Sequence, residues 1–140
     1  MMKVLQLGKF YPIKGGVEKV MEIFTEGLAE RGFPSDMLCV SRNGNTENVI
    51  LSEHARVLRT QKLAEIAATM ISPQLIWRLR CIRRKYDIIH VHHPDPMAAL
   101  ALFFSGYKGK VVLHWHSDIL KQKFLLRFFK PLQSWLIRRA

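Results

Sequence analysis

The sequence is poor in cysteine, in acidic residues and in long apolar runs, and each shortage excludes a class of protein. Only two of the 140 residues are cysteines, and Cys39 and Cys81 stand alone, without the paired spacing of a zinc site. Such usage is typical of the reducing cytoplasm and argues against a structural disulfide. The longest apolar run, Met97 to Phe104, is too short to span a bilayer, and the N-terminus turns polar too early for a signal peptide. We therefore expect a cytoplasmic protein without a membrane-spanning helix.

Acidic residues are outnumbered, since 22 Lys and Arg oppose 11 Asp and Glu, a formal net charge of +11. The excess lies in residues 61–140, which hold 14 Lys and Arg against 4 Asp and Glu. A one-sided charge of this size predicts a polyanionic partner. Composition leaves three kinds open, namely nucleic acid, anionic lipid and a phosphorylated substrate.

No repeat, low-complexity segment or linker divides the chain, so we expect residues 1–140 to form one domain. Short apolar runs predict strands at Lys3–Leu7, Asp36–Ser41, Val49–Leu51, Ala55–Arg59, Asp87–His92 and Lys110–Trp115. The segments between them predict helices across Val17–Leu28, Lys62–Met70, Pro73–Lys85, Pro94–Phe104 and Asp118–Arg139, the last with a break near Pro131. This alternation predicts an α/β fold with a doubly wound, Rossmann-like, mostly parallel sheet covered on both faces.

Ligands of such sheets bind outside the carboxyl ends of the strands. Three loops of this sequence are expected there, which are Lys9–Gly16, His92–Pro96 and His116–Asp118. In the first, Gly15 and Gly16 open a helix, so the backbone can approach a ligand and unpaired N–H groups can attract an anion, with Lys14 adding a positive charge. The pair has a second interpretation, a tight turn that brings the helix close to the sheet.

Five of the six histidines lie on two strands or just beyond them, at His90, His92, His93, His114 and His116. Residues two apart share a face of a strand, so His90 and His92 form one pair and His114 and His116 form another. Deeper in their strands, His90 and His114 are expected to be buried, hydrogen-bonded core residues. The strand-end histidines, with Asp95 and Asp118 close by, predict a site that bonds sugar hydroxyls, orients phosphate or ligates a metal.

Basic and aromatic residues alternate near the C-terminus. Over Lys121–Lys130, phenylalanines and leucines recur at helical spacing among lysines and an arginine, and 131–139 continues the pattern. A helix of this kind either lies on an anionic membrane surface or turns its apolar stripe to the core. Arg78–Lys85 has the same two interpretations.

Three motifs in this order resemble the N-terminal domain of family 4 glycosyltransferases. They are Phe10-Tyr11-Pro12-(x2)-Gly15-Gly16-Val17-Glu18, Asp87-Ile88-Ile89-His90-Val91-His92 and His114-Trp115-His116-Ser117-Asp118-Ile119. The resemblance implies the acceptor-side domain of a GT-B fold, in which two Rossmann-like domains enclose the active site. It also implies transfer of a sugar, with retained configuration and without a metal or other cofactor, from a nucleotide-sugar donor to a saccharide or lipid-linked acceptor in cell-envelope polysaccharide synthesis.

The resemblance also implies roles for individual residues. His116 is expected to be catalytic at the transferred sugar, with Asp118 supporting its loop. The donor diphosphate is expected at Lys14, Gly15 and Gly16. The acceptor side is expected to include Tyr11, His92, His93 and Asp95.

The family's donor-binding domain, with its Glu-x7-Glu motif, has no counterpart in residues 1–140, and the last strands of the N-terminal domain are missing as well. We therefore expect a partial domain that is inactive alone. It is a fragment, a truncated reading frame, or half of a split enzyme whose other half is a separate chain. Its expected location is the cytoplasm or the inner face of the cell membrane. Two other functions stay open: a metal-dependent hydrolase built on the histidines, and a basic nucleic-acid-binding module, although no nucleic-acid recognition motif accompanies the charge.

Overall fold

The computed structural model of the chain describes residues 1–13, 15–66, 69–117 and 123–140, with the backbone alone for 123–125. Strands and helices alternate along it. In chain order they are β1 (Val4–Tyr11), α1 (Gly16–Glu30), β2 (Ser35–Ser41), β3 (Val49–Ser52), β4 (Ala55–Thr60), β5 (Ala64–Ile66), β6 (Thr69–Ile71), α2 (Pro73–Ile82) with a 3-10 turn at Arg83–Lys85, β7 (Ile88–His93), α3 (Pro96–Ser105), β8 (Lys110–Trp115) and α4 (Lys123–Arg139).

Six of the strands form one sheet in the order β3-β4-β2-β1-β7-β8. Every neighbouring pair is parallel except β3 with β4. The chain moves outward from β1 through β2 to β4 and then returns to β7 on the other side of β1, so the switch point of the topology lies between β1 and β7. This confirms the predicted α/β, doubly wound, mostly parallel sheet, and ligands of such sheets bind beyond the switch point.

The helices lie on both faces of the sheet, as predicted. On one face α1 packs its Met21 against Met37 of β2. On the other face α2, α3 and α4 bury Leu79, Leu102 and Leu136 together in the larger core. Burial of leucine side chains contributes roughly 1.5–3 kcal/mol each, so this second face holds most of the apolar stabilisation.

Both α2 and α3 begin with a polar cap followed by proline. Ser72 Oγ accepts the amide of Leu75 at 3.3 Å, and Asp95 Oδ1 accepts the amide of Met97 at 3.1 Å. Proline in the first turn needs no amide hydrogen and has a φ that suits a helix. These caps place the start of α3 directly behind the carboxyl end of β7.

The predicted helix over Lys62–Met70 was wrong. The described part of this segment forms the antiparallel hairpin of β5 and β6, in which Ala64 pairs with Ile71 and Ile66 with Thr69. The amide of Leu63 also bonds the carbonyl of Ile71 at 2.8 Å. A nine-residue helix is marginal by itself, and here cross-strand pairing and the packing of Met70 on the core outweigh its helix propensity.

The predicted break near Pro131 was also wrong, because α4 continues through this residue to Arg139. Proline costs an internal hydrogen bond in a helix. Phe129 before it and Leu136 after it are both buried in the core, at 8% and 1% exposure. Packing on both sides of Pro131 therefore holds the two halves of the helix in line.

The amino-terminal ends of the strands are tied together by one carboxylate. Asp36 is 2% exposed, and its Oδ2 accepts hydrogen bonds from Tyr86 Oη at 2.6 Å and from Arg56 Nη2 at 2.9 Å. The ammonium of Lys3 lies 3.6 Å from the same oxygen. Burial would raise the pKa of Asp36, but the hydrogen bonds from Arg56 and Tyr86 outweigh it and lower that pKa. This network stabilises the end of the sheet opposite the candidate site.

Candidate functional site

The first predicted loop contains the N-terminus of helix α1. Gly15 is the N-cap of α1, and its amide donates to Oε2 of Glu18 at 2.8 Å. A Cβ at Gly15 would stand 2.7 Å from that oxygen, so a larger residue there would displace the Glu18 carboxylate from the cap. At Gly16 a Cβ would meet nothing within 4 Å. Neither glycine is thus in close contact with the sheet, which disfavours the tight-turn interpretation, and Gly16 faces open space.

A second loop is joined to the first by the carboxylate of Asp95. Its Oδ2 accepts the amide of Lys9 at 2.6 Å, and Lys9 has a φ of 52°, next to Gly8 at 141°. The ammonium of Lys9 donates to the carbonyl of Pro94. Asp95 therefore holds the end of β1 against the end of β7 while it caps α3, and it keeps the charge of Lys9 at this edge of the sheet.

Four histidine rings form a stack on the α1 face of β7 and β8. Ring centroids are 4.4 Å apart for His90 and His92, 5.1 Å for His92 and His116, and 4.0 Å for His114 and His116. Phe24 of α1 packs edge-on against His90 at 5.2 Å. The predicted pairing of residues on one face of each strand is confirmed, and adjacent registers of parallel strands bring the two pairs together.

The burial predicted for these histidines was reversed. His92 is fully buried, at 0% exposure, whereas His90 and His114 are only half-buried. His114 lies on β8, the edge strand among the described residues, whereas His92 is enclosed by Gln6 and by the rings of His90, His114 and His116. The deeper position along a strand therefore did not mean a deeper position in the protein.

Hydrogen bonds link the stack to the core. His92 Nε2 lies 2.8 Å from Oε1 of Gln6 on β1, and His92 Nδ1 lies 2.8 Å from Nε2 of His116. The amide of His116 also donates to the carbonyl of His93 at 3.0 Å. Both the backbone and the ring of His116 are thus fixed to the carboxyl end of β7.

Three rings of the stack, those of His90, His92 and His116, are uncharged at neutral pH. Burial, followed by the neighbouring imidazoles and Lys9, lowers the pKa of His92 to about 2. Burial and then the imidazoles of His114 and His116 lower the pKa of His90 to about 4. The pKa of His116 is lowered as well, first by burial and then by His114 and Lys9. Neutral rings both donate and accept hydrogen bonds, which suits the recognition of hydroxyl groups.

A metal is the alternative use of this cluster, since one ring nitrogen each of His90, His92 and His114 lies within 4.8 Å of the others. Two observations disfavour it. His92 uses both ring nitrogens in hydrogen bonds. The planes of the three rings differ by 12° to 32°, so their lone pairs run side by side, whereas a metal needs ligands that converge on one point.

His93 points away from this stack, to the other face of the sheet. It is 1% exposed, stacks on Trp115 with centroids 4.1 Å apart, and lies 3.1 Å from Gln133 Nε2 of α4. The structure therefore separates His93 from His92 and His116, with which the sequence grouped it. Its predicted contact with the acceptor stays a prediction.

The remaining predicted residues are spread along the same edge. Tyr11 ends β1, with the guanidinium of Arg59 5.7 Å from its ring. Lys14 and Asp118 lie outside the described residues, so their predicted roles stay predictions.

Sequence reasoning missed Gln6, Lys9 and Glu18. Gln6 had a usable signal, because it is a single polar residue within the apolar run of β1, and such a residue needs a buried partner. Glu18 stands three residues after the N-cap, the position from which a carboxylate reaches back to the cap amide. Lys9 had no signal, since its position depends on contacts with residues about 85 positions away.

Comparisons with known proteins identify the family of the chain. Residues 14–140 match the model of Glycosyltransferase Family 4. The chain is 36% identical over 135 residues to O-antigen chain mannosyltransferase C of Escherichia coli and 29% identical over 135 residues to the D-rhamnosyltransferase WbpZ of Pseudomonas aeruginosa. Each alignment covers 95% of this chain but 36% and 35% of the relative, so the chain spans about a third of their length.

A solved structure shows the same fold. A sucrose-phosphate synthase chain of Thermosynechococcus elongatus is similar with a TM-score of 0.56 at 14% identity, over 91% of this chain and 70% of that one. Together with the family match, this identifies the architecture. The chain belongs to glycosyltransferase family 4, and its sheet is that of an N-terminal GT-B domain.

Proposed function

We propose that residues 1–140 form the acceptor-side part of a retaining glycosyltransferase. It moves a sugar from a nucleotide-sugar donor to a lipid-linked saccharide in cell-envelope polysaccharide synthesis. The observation that carries the proposal is the placement of His116 at the carboxyl edge of the sheet, through the 2.8 Å bond to buried His92. A neutral imidazole there can bond a sugar hydroxyl where the family's substrates meet. Two relatives named as a mannosyltransferase and a rhamnosyltransferase support sugar transfer.

The start of α1 is the proposed contact for the donor diphosphate. Amides of the first turn have no acceptor within a helix, and Glu18 takes that of Gly15, which leaves those of Gly16 and Val17 to a ligand. The open space above Gly16 gives an anion access to them. Departure of a nucleoside diphosphate develops negative charge, which these dipoles and Lys14 would stabilise.

The other predicted residues complete the proposed site. Asp118 supports the loop that carries His116. Tyr11, His92 and Asp95 lie on the acceptor side, where Asp95 acts by holding Lys9 in place. No step of this scheme needs a metal.

One wall of a cleft is not a complete active site. We expect residues 1–140 alone to be inactive, with the donor-binding half supplied by polypeptide outside these residues, either in the same chain or as a second one. The experiment that tests the proposed function is therefore turnover of nucleotide-linked mannose and D-rhamnose by the chain joined to such a half. His116→Ala should lower kcat about 100-fold or more, whereas His54→Ala, at an exposed position, should not. Full activity of His116→Ala would refute the assigned role.

An apolar groove supports a lipid-linked acceptor. It has a volume of about 480 Å³ and lies between the β5–β6 hairpin, α3 and α4. Phe104 and Phe128 on its walls are 51% and 70% exposed. Exposed aromatic side chains that line a concave surface are typical of a binding groove.

The groove leads to the candidate site. It shares Thr69 and Pro96 with a small polar pocket lined by Lys9 and Asp95 at the end of β1. The polar pocket, of about 20 Å³, holds no more than a water-sized group, so an amphiphile would place its apolar chain in the groove and its phosphate at the mouth of this pocket, near Lys9. We therefore propose a prenyl phosphate as the lipid part of the acceptor.

Calorimetric titration with farnesyl phosphate tests this occupant. We expect binding that exceeds that of farnesol and of inorganic phosphate, because each lacks one half of the amphiphile. Phe104→Glu should weaken it at least about tenfold by placing a charge in the groove. Trp77→Glu, at an aromatic residue of α2 that is 63% exposed and outside the groove, is the matched control. Absence of binding, or equal loss in both variants, would contradict the proposal.

Within the part of the chain that the structure describes, no helix has both the length and the apolar character needed to cross a membrane. Contact with a membrane surface is a separate proposal. Exposed Lys130 and Arg138 of α4 lie on the same helix as Phe128 and Ile137, which are 70% and 51% exposed. Co-sedimentation should show more binding to anionic than to neutral vesicles, and equal binding would count against an electrostatic contact.

A further inference from the structure

Two buried polar residues stand behind His116 and have no part in the proposed contacts with the donor. Gln6 and His92 are each 0% exposed, and each lies on a central strand of the sheet, β1 and β7. Buried polar side chains are costly unless they are bonded, so their placement in the core calls for a physical reason. Together they form a chain of hydrogen bonds from the core to the edge, from Gln6 through His92 to His116.

This series of hydrogen bonds has a direction, which Gln6 determines. Its Oε1 can only accept, so His92 carries its proton on Nε2. A neutral His92 then has a lone pair on Nδ1, which accepts from Nε2–H of His116. A neutral His116 with its proton on Nε2 keeps a lone pair on Nδ1. The hydrogen bond between Gln6 and His92 thus determines, through His92, the tautomer of His116.

Packing keeps this arrangement intact. Phe24 lies 6.5 Å from the ring of His92 and 5.2 Å from that of His90, so α1 covers the stack. The charged and titratable groups around His92 are Lys9 from β1 and the imidazoles of β7, β8 and His116. All are cationic or neutral, and they oppose a second proton on His92, which would otherwise destroy its acceptor nitrogen.

We propose that Gln6 and His92 are positioning residues that fix the ring orientation and the tautomer of His116, so that Nδ1 of His116 accepts a hydrogen bond from a substrate hydroxyl. The hydrogen bond from substrate to Nδ1 rests on the proposed function, whereas the tautomer of His116 does not. Ring and backbone are both anchored, the latter by the 3.0 Å bond to the carbonyl of His93, so the accepting nitrogen is preorganised. A group held in this way loses little freedom when the substrate binds.

Long-range nitrogen–proton NMR spectra of the histidines in the chain test the tautomer at neutral pH. We expect His116 and His92 to carry their protons on Nε2. Gln6→Met keeps the volume but removes the acceptor, and it should shift His116 to a mixture of tautomers. His90→Gln is the matched control, since it lies in the same stack but outside the hydrogen-bond chain, and it should leave His116 unchanged.

A proton on Nδ1 of His116 in the unaltered chain would overturn the proposal, and so would an unchanged tautomer in Gln6→Met. The unaltered chain decides the first point even if a variant fails to fold. In the chain joined to a donor-binding half, Gln6→Met should lower kcat roughly 10- to 100-fold with little change in KM. Absence of turnover in the unaltered protein would refute the proposed function and leave the NMR result standing.

Discussion

His92 gives the fold a dependence on pH whose size follows from its burial. Its pKa is about 2 in the folded chain, against about 6.5 for an unfolded histidine. Because the folded pKa is the lower one, the neutral ring stabilises the fold fully above pH 6.5. This stability is lost as the pH falls from 6.5 towards 2, since the unfolded chain takes up the proton first.

The magnitude can be worked out at pH 5. The pH is then 1.5 units below the pKa of the unfolded ring, while the folded ring is still neutral. Each unit corresponds to 1.36 kcal/mol, so His92 alone lowers the free energy of unfolding by about 2 kcal/mol. This figure holds for any folded pKa below about 4. His90, which is half-buried and has a pKa of about 4, acts in the same direction with a smaller effect because solvent screens it.

Urea denaturation followed by tryptophan fluorescence at pH 7, 6 and 5 measures this loss. His92→Gln removes the titrating group, so the variant should lose about 2 kcal/mol less than the unaltered chain between pH 7 and 5, whatever its stability at pH 7. His54→Gln, at an exposed position, controls for the loss of one histidine. An identical pH dependence in the His92→Gln variant and the unaltered chain would refute the reasoning about burial.

Two further predictions concern other parts of the fold. Asp36→Ala should lower the free energy of unfolding by about 3 kcal/mol, because it leaves buried Tyr86 Oη without its partner, whereas Arg56→Gln, at a side chain 43% exposed, should cost about 1 kcal/mol; equal costs in urea denaturation would contradict the assigned network. Gly15→Ala should destabilise the chain by about 1 kcal/mol, because it displaces Glu18 from the cap, while Gly16→Ala should not destabilise it. In the complete transferase, Gly16→Ala should instead raise KM for the donor, and an unchanged KM would argue against a phosphate at this amide.

The sheet was predictable because its strands are short, apolar and bounded by turns, and their alternation with helices leaves few topologies. The hairpin of β5 and β6 was not, since residues 62–70 are compatible with either structure and their contact with the core decides between them. Pro131 misled for the same reason, because packing of Phe129 and Leu136 is not visible in a local pattern.

The site was predictable as far as one rule reached. The carboxyl ends of parallel strands meet at one edge, and this rule placed His92 and His116 together, as the bond between their rings shows. Period two also grouped the histidines by face. What the sequence could not reveal was the depth of each ring, because that depends on side chains from other strands, such as Gln6 and His116, that enclose His92. The bond from His92 to Gln6 joins residues 86 positions apart, and no local signal links them.

The most direct test of the central claim is sugar transfer measured with and without a donor-binding half. Purified residues 1–140 should release no nucleoside diphosphate from nucleotide-linked mannose or D-rhamnose in the presence of a prenyl-phosphate-linked saccharide. The same chain joined to a donor-binding half should release it, and His116→Ala in that protein should abolish most of the release. Turnover by residues 1–140 alone, or turnover in the joined protein that does not depend on His116, would contradict the account.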